Sequence, residues 1–181
     1  MRSGSMRKYR HPARGASGAM MSIAFSALAT FSAAAAAAPA VGDAAPPLRV
    51  AELNGSPFDL EAERGKVVIV NFWATWCTPC RQEMPALDAF YRQYHDRGVE
   101  LIGVSADRPH DRDDVQKVMQ PFAYPAAVLT DARKNGFGRP GVLPVTYVID
   151  ASGVVRAKLT PDKVTVTEQT LSDSVLPLLP H

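Results

Sequence analysis

Apolar and polar positions follow one another along the chain in a pattern that predicts strands and helices in turn. Two continuous apolar runs, 67–74 (VVIVNFWA) and 99–107 (VELIGVSAD), are rich in β-branched residues and predict central strands that are covered on both faces. Between these runs, four apolar residues recur at helical spacing and predict an amphipathic helix: Met84, Leu87, Tyr91 and Tyr94. Gly98 suits the C-terminal cap of that helix.

Segments on either side of these runs predict a hairpin and a second helix. Residues 48–53 form a candidate strand, Asn54-Gly55 is a turn signal, and residues 58–60 can pair back. Residues 111–122 predict a helix with one apolar face: Val115, Val118, Met119 and Phe122. The acidic residues at its start suit the positive end of a helix dipole better than a metal site.

The last third of the chain predicts further strands and a closing helix. Residues 126–129 form a short strand or connector, and residues 131–140 form a polar, glycine-rich loop with room for one helical turn. Residues 145–150 and 154–159 predict two strands joined by the turn ASG, and a last amphipathic helix contains Leu171, Val175, Leu178 and Leu179. Parallel crossovers followed by a hairpin predict the α/β class, with three α/β/α layers around a mixed central sheet.

The N-terminal residues are typical of a targeting segment. Basic residues precede an uncharged run of small and apolar residues at 16–38, and Ala38-Pro39-Ala40 matches an A-x-A cleavage site. We therefore predict a signal peptide at residues 1–40, one domain at residues 41–181, and a periplasmic location. The alternative is an uncleaved membrane anchor that leaves the domain facing the periplasm. The run is mostly Ala and Ser and only weakly hydrophobic, which favours cleavage.

The charge distribution excludes one class of partner. The chain of 181 residues has a net charge of +2, but all eighteen acidic residues and only fifteen of the twenty basic residues lie after Ala40. The predicted domain therefore has a net charge of −3, and no basic patch indicates a nucleic-acid partner. A domain of this length can bury a sufficient core without disulfide staples.

The only two cysteines lie in the stretch NFWATWCTPCRQEMP (71–85), where the first central strand ends and the next helix begins. Unpaired N–H groups and the helix dipole at this end favour a thiolate on Cys77. Cys77 would attack a substrate disulfide, and Cys80 would then resolve the mixed disulfide. Pro79 fits the first turn of a helix, whereas Pro85 should kink it.

Two other uses of the cysteine pair are open from the residues alone. As a brace, so short a loop contributes only about 2 kcal/mol, against about 4.7 kcal/mol for a hundred-residue loop. A zinc site needs about four ligands, and the four histidines are scattered along the chain, so no zinc site is predicted. A Cu(I) site made from the two thiolates is the stronger alternative, and it would make the protein a metallochaperone.

The stretch NFWATWCTPC resembles the strand–loop–helix signature of the thioredoxin superfamily, with Trp76 directly before the nucleophile and Pro85 at the family's helix kink. The resemblance covers nearly all of residues 41–181 and is closest to the exported TlpA/ResA-like branch. Residues 41–66 are similar to the N-terminal β-hairpin of that branch, and residues 103–120 to its helical insert. The resemblance implies a thioredoxin-like fold and no cofactor beyond the redox-active disulfide.

The resemblance also implies which residues contact the substrate. The stretch LPVTYVID (143–150) is similar to the strand that carries the family's cis-proline. By that match Pro144 is the cis-proline that faces the cysteines, and Leu143 offers backbone groups to the substrate. The implied substrate-binding residues are Trp76, Thr78, Pro79, Leu143 and Pro144.

One departure from thioredoxin concerns proton transfer. Thioredoxin carries a buried aspartate in the strand before the motif, where this chain has Asn71, which cannot titrate. The TlpA/ResA-like branch instead has a glutamate three residues after the second cysteine, and Glu83 occupies that position. Cys80 and Glu83 can share one helix face, so Glu83 with a raised pKa could act as general base for Cys80. Alternatively, Glu83 is a first-turn acid that only stabilises the helix dipole.

The resemblance favours a reductant, and Thr78-Pro79 places no charge between the cysteines that would indicate a strong oxidant. It implies a thiol-disulfide oxidoreductase that takes electrons from a membrane donor. Its clients would be proteins of cytochrome c maturation or of oxidase copper-site assembly. Peroxiredoxins share part of this architecture, but Val70 and Ala74 replace the Pro and Thr of their P-x-x-x-T-x-x-C motif.

Overall fold

The computed structural model describes Met1 and residues 38–180. The predicted targeting segment, residues 1–40, therefore lies almost wholly outside the described residues. The described residues form seven strands and three α-helices: β1 (Leu48–Glu52), β2 (Pro57–Asp59), β3 (Val67–Trp73), α1 (Thr78–Tyr94), β4 (Val99–Ser105), α2 (Arg112–Met119), β5 (Ala126–Asn135), β6 (Val145–Ile149), β7 (Val155–Leu159) and α3 (Glu168–Val175). None of these helices is long and apolar enough to cross a membrane.

The seven strands form one mixed sheet in the order β2-β1-β5-β4-β3-β6-β7. Strands β3, β4 and β5 run parallel, and α1 and α2 provide the two crossovers between them. Strand β6 pairs antiparallel with β3, and β7 pairs antiparallel with β6. Since the carboxyl ends of parallel strands meet at one edge, the segments that follow β3 and β4 lie side by side, and the cysteines follow β3.

The sheet separates two hydrophobic clusters. The first cluster contains the buried faces of all three helices, for example Leu87 of α1, Val115 of α2 and Leu171 of α3. The second cluster contains the opposite face of the sheet together with the hairpin and Phe137. In the described part of the chain this second face is covered by non-helical segments, whereas the sequence predicts a helical layer on each side. The thioredoxin-like α/β fold, the mixed sheet and the helical insert are confirmed.

The predicted N-terminal hairpin is confirmed as β1 and β2, which pair antiparallel with Val50 opposite Phe58. Asn54 shapes its turn, because its Oδ1 accepts a hydrogen bond of 2.8 Å from the backbone N–H of Ser56. Gly55 has a φ of 91°, which disfavours any residue with a side chain. The hairpin joins the main sheet because β1 also pairs antiparallel with β5.

Three predicted boundaries are wrong. The last helix is shorter than predicted, since α3 ends at Val175 and Leu178 and Leu179 lie beyond it. The predicted loop at 131–140 begins too early, because β5 continues to Asn135 and pairs there with β1. The hydrophobic pattern misses this extension because the Arg133 and Lys134 side chains are exposed and the backbone alone makes the pairing. The second helix is shorter than predicted, since α2 ends at Met119. Phe122 still packs against the first cluster from the segment that follows.

Candidate active site

Cys77 and Cys80 form a disulfide between the end of β3 and the start of α1, where the sequence places them. The sulfur–sulfur distance is 2.00 Å and the two Cα atoms are 5.3 Å apart. Both residues are buried, with 5% of Cys77 and 2% of Cys80 exposed. The exposed residues beside the pair are therefore the candidates for contact with a substrate.

Cys77 is the N-cap residue of α1. Its sulfur accepts a hydrogen bond of 3.3 Å from the backbone N–H of Cys80, in the way that a capping oxygen usually does. Pro79 lies in the first turn, where its missing N–H leaves no helical hydrogen bond unmade. After reduction, the same N–H group and the positive end of the helix would stabilise a thiolate on Cys77.

The exposed residues beside the disulfide include three of the predicted substrate-binding residues. Trp76 is 71% exposed, and Thr78 and Pro79 are also exposed. The Leu143–Pro144 peptide bond is cis, which confirms the predicted geometry at that position. Pro144 is buried and Leu143 is half-buried against both hydrophobic clusters, the first of which contains the two cysteines. Contact of these five residues with a substrate stays a prediction.

Glu83 is buried on the same face of α1 as Cys80 and is only 4% exposed. Its Oε1 accepts a hydrogen bond of 3.0 Å from the backbone N–H of Val166, in the segment before α3. Its Oε2 is buried and has no hydrogen-bond partner within the described residues. Burial raises the pKa of the Glu83 carboxyl, and the Val166 hydrogen bond offsets part of that effect. This environment favours a carboxyl that exchanges a proton nearer neutrality than an exposed glutamate does.

Asn71 lies in the middle of β3, where thioredoxin has its buried acid. It is 2% exposed, and its Nδ2 donates a hydrogen bond of 2.9 Å to Oγ1 of Thr146 on β6. The amide is thus held by a neutral partner. Glu83, and not the Asn71 position, provides the buried carboxyl on the Cys80 side of the sheet.

A second buried carboxylate, Asp107, holds the loop that precedes Cys77. Its Oδ2 accepts a hydrogen bond of 2.8 Å from the backbone N–H of Thr75, and its Oδ1 accepts one of 2.7 Å from the Thr75 hydroxyl. The hydroxyl of Ser105 donates a third, of 2.6 Å, to Oδ2. Asp107 is only 2% exposed, so these charge-assisted bonds are shielded from water. The orientation of the loop before Cys77 therefore depends on Asp107.

The same network reaches the loop that leads to Pro144. The backbone N–H of Ala106 donates a hydrogen bond of 2.8 Å to the carbonyl of Trp73. The carbonyl of Ala106 accepts one of 3.2 Å from Nη2 of Arg139. Three segments around the disulfide are thus joined through residues 105–107. Sequence reasoning missed Asp107, although an acid at the end of a buried strand parallel to the cysteine-bearing strand was a usable signal.

Comparison with known proteins agrees with this geometry. The sequence profile of the AhpC/TSA family matches residues 41–158. The chain is 36% identical over 124 residues to the thiol-disulfide oxidoreductase ResA of Geobacillus thermodenitrificans, a match that covers 67% of this chain and 70% of that protein.

Two solved structures are also similar. A thiol:disulfide interchange protein of the thioredoxin family from Chlorobium tepidum TLS has a TM-score of 0.64 and 27% identity, and the match covers 79% of this chain and all of that one. A secreted thiol-disulfide isomerase from Corynebacterium glutamicum has a TM-score of 0.62 and 26% identity. That match covers 74% of this chain and 84% of the other.

Proposed function

We propose that this chain, which belongs to the AhpC/TSA family of the thioredoxin fold and is a thiol-disulfide oxidoreductase, is a periplasmic reductant. Its substrates in this proposal are the disulfides of client proteins. The observation that carries the proposal is the buried Cys77–Cys80 pair at the start of α1 with the buried carboxyl of Glu83 one turn further on. The two residues between the cysteines, Thr78 and Pro79, are uncharged.

The proposed reaction transfers two electrons from the reduced protein to the client. The Cys77 thiolate attacks one sulfur of the client disulfide, forms a mixed disulfide and releases the first client thiolate. Cys80 then loses its proton to Glu83 and attacks the Cys77 sulfur, which releases the second client thiolate. The client leaves as a dithiol, and the protein is left with the Cys77–Cys80 disulfide.

The proposed location and electron donor follow from the N-terminal sequence and from the disulfide. Residues 1–40 match a signal peptide in sequence, and one similar structure is named as a secreted protein. In an oxidising compartment, a protein that donates electrons must be reduced again after each cycle. We therefore include a membrane thiol donor in the proposal, with residues 41–181 as the domain that it reduces.

The proposed clients are apocytochrome c or the cysteines of an oxidase copper site, and this choice rests on the family resemblance. The metallochaperone alternative rests on the two cysteines alone. Within residues 38–180, no group of three or more His, Cys, Asp or Glu side chains is arranged to hold a metal ion. A Cu(I) titration of the reduced protein tests that alternative directly, since a metallochaperone binds one equivalent tightly.

A trapping experiment tests the proposed reaction. The Cys80→Ser variant cannot resolve the mixed disulfide, so the client should stay bound to Cys77 and run as a larger species on a non-reducing gel. The doubly substituted Cys77→Ser, Cys80→Ser protein is the control and should trap nothing. Mass spectrometry then identifies the client class. If the single variant captures no more protein than the double variant, the proposed exchange reaction is wrong.

A further inference from the structure

An open groove of about 670 Å³ lies between α1 and α2, and its lining includes Thr78 and Arg81, the residues that follow the two cysteines in the chain. The lining also includes Lys117 and Val118 of α2. Helix α2 lies in the helical insert at residues 103–120, to which the family resemblance assigns no role. The groove is a place where this insert could meet a substrate.

The groove combines an apolar lining with a cationic rim. Val118 and Phe122 contribute apolar surface and pack against the first hydrophobic cluster, and the lining also includes Met84, a buried member of that cluster. The rim carries the exposed side chains of Arg81 and Lys117. Such a surface suits a ligand that has both apolar and negatively charged groups.

The two rim cations are available to a ligand. Arg81 forms no ion pair with any residue in the part of the chain that the structure describes, which leaves its charge uncompensated. Lys117 is 3.0 Å from Asp114, but both side chains are more than 60% exposed. A pair so exposed is weak and exchanges readily for another anion.

We propose that this groove binds the stretch of client polypeptide that flanks the reacting cysteine, and that it selects clients with apolar and acidic residues there. The inference rests on the proposed function, because only a disulfide substrate must bring its chain to Cys77. Cys77 itself is buried, whereas its chain neighbours Trp76, Thr78 and Pro79 are exposed. A client chain that reacts with Cys77 extends over neighbouring surface, and Thr78 is one of the residues that line the groove.

The expected selectivity is moderate. Each exposed ion pair contributes roughly a twofold to fivefold preference, and the preference weakens at high salt. An acidic client segment is attracted by Arg81 and Lys117, and a basic segment is repelled by both. The apolar lining adds affinity without selecting charge. Lys117 is the better residue to test, since it is remote from the cysteines in sequence and Arg81 is next to Cys80.

The test uses two peptide disulfides, each a symmetric dimer joined through a single cysteine. One peptide carries Leu-Glu-Glu after its cysteine, and the other carries Leu-Lys-Lys. The reduced full-length protein gives two electrons to each dimer, forms its own disulfide and releases two peptide thiols. Rates are followed by chromatography of the free peptides. The same dimers are reacted with 2-mercaptoethanol, so that their intrinsic reactivities can be divided out.

The proposal predicts that the wild-type protein reduces the acidic dimer at least threefold faster than the basic dimer at low salt. Lys117→Gln should reduce this ratio, and Lys117→Glu should abolish or invert it. Lys134→Glu, the same charge reversal at an exposed position on β5, should keep the wild-type ratio. Thermal unfolding of all variants checks that α2 stays folded.

The possible outcomes distinguish a failure of the groove proposal from a failure of the proposed reaction. If neither dimer is reduced by wild-type protein, the proposed function fails together with the groove. If both dimers are reduced with equal corrected rates, exchange stands and the groove proposal is wrong. The groove proposal is also overturned if folded Lys117→Glu and Lys134→Glu change the ratio equally.

Discussion

The carboxyl of Glu83 accepts a hydrogen bond of 3.0 Å from the backbone N–H of Val166, and its second oxygen is buried without a partner among the residues that the structure describes. This relationship joins α1 to the segment before α3. A carboxyl with one satisfied and one unsatisfied oxygen is poorly solvated when charged, so burial raises its pKa above the usual value. Glu83 also lies one helical turn after Cys80, and the thiol of Cys80 must lose its proton before it can attack the mixed disulfide.

Glu83→Gln should slow the resolving step of the reaction. The amide has nearly the same shape but cannot accept the Cys80 proton, and general base catalysis is typically worth about 100-fold or more. The expected result is at least a tenfold slower decay of the mixed disulfide near pH 7. Stopped-flow measurement with a peptide disulfide checks it, with the exposed Glu168→Gln of α3 as control. A wild-type decay rate in Glu83→Gln would leave Glu83 with a structural role only.

Glu83 should also make stability depend on pH in a definite direction. Burial raises the pKa of this carboxyl above its usual value of 4.5, so the folded state binds the proton more tightly than the unfolded state. Its contribution to stability is therefore present below about pH 4.5 and is lost as the pH rises through the raised pKa. Urea unfolding of the oxidised protein should show wild type losing stability relative to Glu83→Gln from pH 4 to pH 7. A difference that is constant over this range contradicts the raised pKa.

Asp107 should stabilise the fold through its hydrogen bonds to Thr75 and Ser105. Asp107→Ala leaves the buried hydroxyl of Ser105 and two partly buried donors of Thr75 unpaired, which should cost about 3 kcal/mol in the free energy of unfolding. The exposed Asp113→Ala is a matched control, expected within about 0.5 kcal/mol of wild type.

A double-mutant cycle isolates the contact between the two side chains. Asp107→Asn and Thr75→Val each alter one partner at nearly constant volume, and their effects should be non-additive by about 1–3 kcal/mol. Equilibrium unfolding in urea measures each corner of the cycle. Additive effects would show that the two side chains act independently, in conflict with the observed hydrogen bonds.

Substitutions of the two tryptophans should affect different properties: Trp73 the stability of the fold, and Trp76 the rate of reaction with a client. Trp73 is fully buried, so Trp73→Ala should destabilise the fold by about 3–5 kcal/mol. Trp76 is 71% exposed, so Trp76→Ala should change stability by no more than about 0.5 kcal/mol. If Trp76 contacts clients as predicted, the Trp76→Ala variant should nevertheless reduce a client-derived peptide disulfide more slowly. Unchanged rates with that peptide would remove Trp76 from the substrate-binding residues.

Local sequence was sufficient to predict where the two cysteines lie and that a helix begins there. The apolar run of β3, the C-x-x-C spacing and the stripe of α1 together predict a disulfide at a helix start. Helix geometry predicts that Cys80 and Glu83 share one face, whereas the role of Glu83 as a base for Cys80 was implied by the family resemblance and stays a prediction. The cis bond before Pro144 required the family resemblance, since a sequence alone gives only a low expectation of such a bond.

Long-range relationships could not be predicted in the same way. The contact between Thr75 and Asp107 spans 32 residues and exists because β3 and β4 are parallel neighbours whose ends meet. The extension of β5 to Asn135 depends on backbone pairing with β1 and leaves no period-two hydrophobic pattern. The groove beside Thr78 depends on how α2 packs next to α1. Each of these features is set by tertiary structure.

The reduction potential of the Cys77–Cys80 pair tests the central claim most directly. The oxidised protein is equilibrated with defined ratios of reduced and oxidised dithiothreitol or glutathione, and the fraction of dithiol is read by thiol alkylation and mass spectrometry. A reductant of client disulfides should have a potential near that of thioredoxin, about −270 mV. A potential near about −120 mV, as in strong oxidants of the same fold, would contradict the proposed direction of electron flow.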